Sequence, residues 1–480
     1  MMNTPYFPPW RPRLAAMGST IQRLRQQSLH HLEKLFASFI PAHLLAQADE
    51  GPNSRDGIYT LRRTFFGFLS QVLSPGTPCR EIVRQIQALF ILQGGRAVDE
   101  GTSAYCQARG RLPEETLAQV RRTVATHVDQ AAGRWHGFCP KVIDGTGVSL
   151  PDTGENQLVY PQPGGQKPGC GFPSLKLVGV FSLFTGALLD YAKGNKHQHE
   201  LTLLQSLLAG FKPKDLALAD RGFSCFVLIA LFLMRQVQCV FRLHQARPQD
   251  MRRGKRLGKN DRLVTWAKPK EKPRYLPKSI WKRICSALTV RVIRCQLRTK
   301  GYRPQAVTLV TTLLDPQAYP AYELALLYAR RWQIELWFDD LKTSMGMDVL
   351  RCQIPERVHK ELEMFFIAYN LIRGLMVQAS VLHDAPLERL SFKGTADALR
   401  QFSVAIAQAR SQKKQKELIA QLLVVIARDQ VPERPGRREP RALKRRPKPY
   451  ALLKCSRIKF KEIIHRGRYR KLTPKNSAIN

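Results

Sequence analysis

The chain has 480 residues, too many for one hydrophobic core of ordinary size, and this length predicts two to four domains. Hydrophobic residues make up 44% and charged residues 24%, a globular composition that argues against a fibre or a disordered chain. The formal net charge is +40, from 77 Lys and Arg against 37 Asp and Glu. An excess this large indicates a polyanionic partner, and nucleic acid is the first candidate.

Nothing in the sequence predicts a secreted or membrane protein. The longest apolar run, residues 226–234, is far shorter than the roughly 20 residues that a bilayer-spanning helix needs. The N-terminus lacks the apolar segment of a signal peptide. The ten cysteines include no CxxC pair, so we interpret them as reduced core thiols, not zinc ligands or disulfides. These features predict a cytoplasmic protein with no membrane partner.

Two blocks of the chain carry most of the excess charge. Residues 251–300 have 17 basic and two acidic residues (net +15), and residues 431–480 have 17 and three (net +14). Charge runs are often solvated faces or disordered tails. Because tryptophan and tyrosine residues are interleaved with the basic ones, we favour contact with a phosphate backbone.

The first 130 residues predict a helical domain. Apolar residues recur every three or four positions in 61–73 and 82–92, and Ser74-Pro75-Gly76 separates these two helices. A third helix should begin near Pro113. No convincing helix-turn-helix pattern is present. We expect DNA contact from four arginines of this region: Arg109, Arg111, Arg121 and Arg122.

From residue 137 onward the pattern changes to short strands mixed with helices. Strand candidates are 141–143, 175–184, 187–192, 216–219, 238–243, 288–297 and 306–314, and helix candidates are 200–208, 223–235 and 322–345. We interpret His197 and His199, beside Glu200, as a strand-to-helix turn and not as a metal site. The order predicts a mixed α/β core of residues 137–243 and 304–380, with a basic, β-rich insertion at 244–303. A helical region, 381–430, and a basic tail, 431–480, follow.

Three carboxylates occupy positions suited to chemistry. Asp144 and Asp220 each end a predicted strand, and Glu335 lies inside the long predicted helix. Brought together, they would form an all-oxygen cluster that suits Mg²⁺ or Mn²⁺. Two such ions can activate a water or sugar hydroxyl and stabilise the leaving oxygen at a phosphodiester.

The helix around Glu335 carries further polar residues on the same face. Tyr328, Arg331, Glu335 and Lys342 have offsets of 0, 3, 7 and 14, which fall within one narrow sector at about 100° per residue. An amphipathic helix with an Arg–Glu pair one turn apart is the simpler explanation. Other residues of the helix already supply its apolar packing, however, so the polar face needs another purpose.

These four residues at three fixed spacings match the signature of the transposases of insertion-sequence family four, a group of DDE cut-and-paste enzymes. Three further segments resemble the family: residues 143–146, 218–223 and 368–373. The resemblance covers about residues 60–400. The 115 residues that separate Asp220 from Glu335 (335 − 220) also leave room for the β-rich insertion that this family places there.

The resemblance implies a ribonuclease-H-like catalytic core in which Asp144, Asp220 and Glu335 hold two Mg²⁺ ions, with Mn²⁺ able to substitute. It implies that Arg331 and Lys342 contact DNA phosphates and that Tyr328 contacts the phosphate near a flipped terminal base. Trp266 and Trp281 are the candidates for stacking on that base.

The same resemblance implies the partners and the reaction. The partners would be double-stranded DNA, as terminal inverted repeats and as target, and a second copy of the chain on paired ends. The reaction would be strand cleavage followed by strand transfer. One departure from the family pattern is Asp339-Asp340, where a basic residue is expected, and we expect both aspartates to face solvent.

Two alternatives remain open. The first is a metal-dependent nuclease of the same fold that cuts nucleic acid without joining it, and the second is an inactive or recruited DNA-binding derivative. Arg331, Lys342 and the basic insertion favour the transposase over the nuclease. Three intact carboxylates argue against a protein that only binds DNA, because burying acids near DNA has no structural benefit.

Overall fold

The computed structural model describes residues 30–46, 57–92, 98–247, 250–297, 305–409 and 411–432, together with Ser456 and Lys459. Most of the predicted basic tail lies outside these residues.

The described residues of the N-terminal region form five α-helices: α1 (His30–Leu35), α2 (Leu61–Leu73), α3 (Cys79–Leu92), α4 (Ser103–Arg111) and α5 (Glu114–Asp129). The Thr60 hydroxyl caps α2 by accepting a hydrogen bond from the Arg63 N–H, and Pro113 immediately precedes α5. The three helices predicted from periodicity are therefore confirmed. Helix α4 was not predicted, since it buries only Tyr105 and Ala108 and shows no apolar stripe.

Nine strands form one sheet: β1 (Cys139–Ser149), β2 (Ser174–Ser182), β3 (Leu188–Gly194), β4 (Asp215–Ala219), β5 (Gln238–Arg242), β6 (Lys255–Gly258), β7 (Asp261–Ala267), β8 (Ala287–Leu297) and β9 (Gln305–Thr311). Their spatial order is β3-β2-β1-β4-β5-β9-β8-β7-β6. Strand β2 pairs antiparallel with both β1 and β3, whereas β1, β4 and β5 run parallel. The predicted mixed α/β class is confirmed.

The basic insertion extends this sheet. Strands β6, β7 and β8 pair antiparallel in sequence, and β9 joins β8 to β5. Within the extension, the guanidinium of Arg291 is fully buried against the carboxylate of Asp261 on the neighbouring strand, with an Nη2–Oδ2 distance of 2.6 Å. A short helix, α9 (Lys278–Arg283), lies between β7 and β8.

The predicted long helix at 322–345 is interrupted. It consists of α10 (Ala321–Ala329), a 3₁₀ turn (Arg330–Trp332), α11 (Gln333–Asp339) and a π turn (Asp340–Ser344). The 3₁₀ turn tightens the backbone and the π turn widens it, as the bond from the Met345 N–H to the Asp340 carbonyl shows. Periodicity alone does not reveal these changes, because they largely offset each other along the helix face.

The remaining helices are α6 (Gly154–Val159), α7 (Glu200–Leu207), α8 (Phe226–Leu233), α12 (Pro355–His383), α13 (Phe392–Gln408) and α14 (Gln412–Arg428). Helix α12 is long and apolar enough to cross a membrane, but 78% of its most apolar window is buried inside the protein. It is a core helix that packs against α5, α14 and α2.

One hydrophobic cluster runs from the N-terminal helices across one face of the sheet to α14, and a second covers the other face. One predicted DNA contact, Arg121, is buried and pairs with Glu363 at 2.8 Å. The expectation that Arg121 contacts DNA is wrong, because its charge is paired inside the fold. Arg109 is partly exposed, with its guanidinium 3.8 Å from the centre of the Phe68 ring, and its contact with DNA stays a prediction.

Candidate active site

Asp144 and Asp220 lie side by side. The prediction that both end strands is right for Asp220 and wrong for Asp144, because β1 continues to Ser149 in antiparallel pairing with β2. Strands β1 and β4 pair in parallel up to Ile143 and Ala219, so Asp144 and Asp220 follow at neighbouring positions. The Gly145 N–H donates to Asp144 Oδ1 at 2.8 Å. Asp220 Oδ1 is buried and has no hydrogen-bond partner among the residues that the structure describes. An oxygen in this state is available to an added ligand.

Arg331 connects this pair to the third predicted carboxylate. Its Nη1 lies 3.3 Å from Asp144 Oδ2, and its Nη2 lies 3.4 Å from Glu335 Oε1. The arginine is 5% exposed, and its Nε has no described partner. Both contacts are long for charged hydrogen bonds. The guanidinium therefore bridges two acids without using its full donor capacity.

The electrostatics of the site reflect a concentration of negative charge. Desolvation raises the pKa of Asp144, and Asp220 raises it further, against the Gly145 N–H and Arg331. Desolvation also raises the pKa of Glu335, and Asp144 and Asp220 add to the effect while Arg331 opposes it. These carboxylates repel one another, and a cation bound among them would relieve that repulsion.

Tyr328 and Lys342 lie on the same broken helix as Glu335. Tyr328 is 2% exposed, its hydroxyl has no described hydrogen-bond partner, and desolvation raises its pKa. Lys342 is half-buried, and its Nζ donates to the Thr146 hydroxyl at 3.1 Å, two residues beyond Asp144 on β1. The helix face predicted from the spacing thus meets the end of the sheet.

The sequence analysis missed a fourth carboxylate, Glu200, the first residue of α7. A Cβ placed on Gly145 would lie only 2.3 Å from Glu200 Oε1, so the carboxylate sits directly on the glycine beside Asp144. Desolvation raises the pKa of Glu200, with Asp144 and Asp220 as further causes. The strand-to-helix turn was predicted, but only the sheet shows that it returns Glu200 to the end of β1.

The tryptophan candidates lie in the packing of the sheet extension. Trp266 is 6% exposed, and the Arg247 guanidinium covers its ring at 4.2 Å from the centroid. Trp281 is half-buried, with the Lys268 ammonium 4.3 Å from its ring centroid. Trp266 would have to leave this packing to stack on a base.

The two aspartates after α11 differ in environment. Asp339 is exposed and accepts a hydrogen bond from the Thr343 hydroxyl at 2.6 Å. Asp340 is partly buried, and desolvation raises its pKa to about 7, although Arg373 opposes the rise. The expectation that both face solvent is wrong for Asp340, because the π turn directs it toward α12.

As arranged, the described residues contain no group of three or more His, Cys, Asp or Glu close enough to hold a metal ion. The donor set nevertheless suits a hard divalent cation, since it is all oxygen and includes the unpartnered Asp220 Oδ1. Arg331 takes up part of the space between Asp144 and Glu335.

Known proteins match the part of the chain that contains this site. Residues 135–371 match the family model described as the transposase DDE domain. The chain is 27% identical over 378 residues to the transposase InsG for insertion sequence element IS4 of Escherichia coli (strain K12), covering 78% of this chain and 82% of that protein. A cryo-EM structure of the piggyBac transposase synaptic complex with hairpin DNA matches with a TM-score of 0.39 and 10% identity, over 83% of this chain and 85% of that one. That likeness is too distant to bear on function.

The sequence matches span Asp144, Asp220 and Glu335, and they define the class: the protein is an enzyme of the DDE transposase type. Within that class, the chain is similar to the IS4 family of insertion-sequence transposases. The family resemblance drawn from the sequence signature is confirmed.

Proposed function

We propose that the protein binds the terminal inverted repeats of its own insertion sequence and catalyses metal-dependent strand cleavage and strand transfer. The observation that carries this proposal is the register of β1 and β4, which makes Asp144 and Asp220 neighbours, together with the Arg331 bridge to Glu335. A DNA transposase needs a compact acidic site beside a basic surface, and this arrangement supplies the first requirement.

The catalytic core is proposed to be ribonuclease-H-like. Strands β3, β2, β1, β4 and β5 lie in that spatial order, with an antiparallel first half and a parallel second half. Ligand sites form preferentially where the carboxyl ends of adjacent parallel strands meet. Asp220 follows the carboxyl end of β4, and Asp144 lies beside it, one residue past the last parallel pair of β1 and β4.

Asp144, Asp220 and Glu335 would hold the divalent ions, Mg²⁺ or Mn²⁺ and two per site, and Glu200 would contribute a fourth carboxylate. When bound, such ions activate a hydroxyl and stabilise a leaving oxygen at a phosphodiester. Arg331 neutralises Asp144 and Glu335 in the arrangement described, and it would turn toward a DNA phosphate when its contacts with the acids are released. Its fork of donors suits a phosphate better than a point charge would. Lys342 and Tyr328 are proposed to contact the same DNA strand.

The sheet extension is the proposed DNA surface. Eleven of its described basic residues are exposed: Arg252, Arg253, Lys255, Arg256, Lys259, Lys270, Arg274, Lys278, Lys282, Arg283 and Arg294. Phosphate contacts of this kind position a protein on DNA without reading its sequence. A second copy of the chain would bind the paired end, and the protein would act in the cytoplasm on chromosomal or plasmid DNA.

The test uses a labelled DNA fragment that carries the element boundary flanking the gene. Purified protein is incubated with it in Mg²⁺ or Mn²⁺, beside Glu335→Gln and the matched control Glu417→Gln, an exposed residue of α14. We expect cuts at the boundary, with hairpin or strand-transfer products, from wild type and Glu417→Gln only. Cuts without joined products would establish a nuclease instead. Binding without cuts would establish a DNA-binding derivative.

A further inference from the structure

A cavity of about 470 Å³ lies between the N-terminal helices and the segment that follows the π turn. Three cysteines line it: Cys79 at the start of α3, Cys106 in α4 and Cys352 just before α12. Each of the three is partly exposed and none is in a disulfide. This cavity is separate from the acidic site, and the transposase reaction gives it no role.

Arg109 stands at the centre of the three thiols. Its Nη1 lies 3.4 Å from the Cys79 sulfur and its Nη2 lies 3.4 Å from the Cys352 sulfur. Gln71 also donates to the Cys79 sulfur, at 3.5 Å. Cys106 lines the same cavity as Cys79, and each of these two thiols shifts the pKa of the other. The Cys79 sulfur therefore accepts several hydrogen bonds, one of them from a cation.

These surroundings ionise one thiol of the three. The hydrogen bond from Cys106 lowers the pKa of Cys79 to about 5, and Gln71 and Arg109 also lower it, against desolvation. The pKa of Cys106 is raised, mainly by its hydrogen bond to Cys79, and desolvation raises that of Cys352. Cys79 is also the first residue of a 14-residue helix, whose dipole favours an anion there. The described cysteines are free, as predicted, but Cys79 is partly exposed and is not a core thiol.

A thiolate-bound metal ion is the less favourable occupant. The Arg109 guanidinium already supplies a positive charge between the sulfur atoms of Cys79 and Cys352, and a second cation there would be repelled. An arginine beside a thiolate is instead the arrangement that makes a cysteine nucleophilic.

We propose that Cys79 is a reactive thiolate that hydrogen peroxide oxidises, and that Cys106 then closes a Cys79–Cys106 disulfide. The Cys79 sulfur attacks one peroxide oxygen, the O–O bond breaks, and the departing hydroxide takes a proton to become water. The product is a sulfenic acid. The Cys106 sulfur then attacks the Cys79 sulfur, the S–O bond breaks, and a second water leaves with the Cys106 proton. Two thiols are oxidised by two electrons, and one peroxide is reduced to two waters.

The location connects this chemistry to the rest of the fold. The opposite wall of the cavity includes Met345, Gly346 and Val349, which link the Lys342 turn to α12. The Arg351 guanidinium in the same segment donates to the Thr77 carbonyl, two residues before Cys79, at 3.2 Å. A disulfide at Cys79 would thus form next to the contact that Arg351 makes with the N-terminal region. Arg351 belongs to the segment that follows the helix carrying Glu335.

The first test measures thiol ionisation on the full wild-type chain. Iodoacetamide labelling is followed from pH 4.5 to 9 and each cysteine is quantified by peptide mass spectrometry, with the exposed Cys285 as internal comparison. We expect the Cys79 rate to have its midpoint near pH 5, and to exceed that of Cys285 at least about tenfold at pH 5.5. A Cys79 midpoint equal to that of Cys285 would overturn the proposal.

The second test maps the oxidation product. After brief peroxide treatment, we expect a Cys79–Cys106 cross-linked peptide in wild type and in the control Cys285→Ser. In Cys106→Ser, we expect a Cys79 sulfenic acid that a dimedone probe traps. A disulfide from Cys79 to Cys352, or none at all, would refute the assignment of Cys106. Stoichiometric zinc in the purified protein that is lost in Cys79→Ser would replace the proposal with a metal site.

Discussion

Arg291 and Arg331 are both buried against aspartates of the same sheet, yet their hydrogen bonding differs. Every guanidinium nitrogen of Arg291 has a partner: Nε and Nη2 donate to the Asp261 carboxylate, and Nη1 donates to the Asp315 and Tyr319 carbonyls. Arg331 makes two contacts of 3.3 and 3.4 Å, and its Nε is buried without a described partner. All guanidinium nitrogens of Arg291 have hydrogen-bond partners within the protein, whereas one nitrogen of Arg331 has no described partner.

The difference separates a structural ion pair from a functional one. A buried charge is tolerated when its hydrogen bonds are complete, as at Arg291, where the pair ties β7 to β8. An incomplete set is costly in a core and is retained where a ligand completes it. By this criterion the incomplete hydrogen bonding of Arg331 supports the proposed ion and phosphate site, whereas the Arg291 pair fixes the position of the sheet extension.

The largest expected effect is on catalysis. Asp144→Asn should reduce end cleavage about 1000-fold or more, because it removes one carboxylate from the proposed ion site. The Asp261→Asn variant should cleave DNA at a rate close to that of wild type when it is assayed below the melting temperature of the variant. Gel assays of the two variants under one condition make the comparison. If Asp261→Asn loses cleavage while still folded, the two pairs do not differ in the way described.

The next effect is on stability, where we expect the larger loss at the Arg291 pair and the smaller loss at Arg331. Arg291→Met should lower the free energy of unfolding by about 3–5 kcal/mol, because it leaves the buried Asp261 carboxylate without its partner. Arg331→Met should change it by less than about 1 kcal/mol, since its contacts are long and Glu335 is half exposed. Urea unfolding followed by circular dichroism measures both values. Equal losses would show that Arg331 is as structural as Arg291.

Asp340 is a third charged group and is partly buried, and an arginine lies near it without pairing with it. The Arg373 guanidinium that faces it donates its hydrogen bonds to the Thr185 carbonyl, so the carboxyl stays desolvated and its pKa rises to about 7. A carboxyl with a raised pKa in the folded state stabilises the fold when protonated. That stability is lost as the pH rises from about 3.8, its ordinary value, to about 7.

Asp340→Asn should therefore gain stability relative to wild type as the pH rises from 5 to 7, with a constant difference above about 7. Melting temperatures of both proteins across this range test the expectation, with Asp339→Asn as the exposed control. A difference that does not vary with pH would mean that Asp340 titrates at its ordinary value.

The residues proposed to carry chemistry were found through local patterns, and their roles stay predictions. Asp220 directly follows β4 as predicted, but Asp144 lies inside β1, because this strand continues past the predicted turn to Ser149. The spacing of Tyr328, Arg331, Glu335 and Lys342 places them on one side of the helix. The strand candidates were also confirmed, since β-branched runs between turn residues are local signals.

Contacts between distant segments were not predictable in this way. Glu200 reaches Gly145 only because β2 and β3 fold back on β1, and no periodicity encodes that register. The same holds for the three cysteines around Arg109, which come from segments up to 273 residues apart (352 − 79). Arg121 looked like a surface charge, but the folded chain gives it Glu363 as a buried partner.

The smallest expected effect concerns the carboxylate that the sequence analysis missed. In Gly145→Ala, the new methyl group would meet Glu200 Oε1 at 2.3 Å and displace the flexible carboxylate from the end of β1. If Glu200 contributes to ion binding, the affinity for Mn²⁺ should fall a few fold while the fold is kept. The dependence of the melting temperature on Mn²⁺ concentration reports this affinity without any cleavage assay.

Gly147→Ala is the matched control, because a Cβ there would make only ordinary contacts, the nearest at 3.7 Å to the Leu175 carbonyl oxygen. It lies two residues further along the same strand, on the same face as Gly145. Glu200→Gln should reproduce the loss seen in Gly145→Ala, and the double variant should lose little more, since both changes remove the same carboxylate from the same position. Unchanged Mn²⁺ affinity in Glu200→Gln would limit the ion site to Asp144, Asp220 and Glu335.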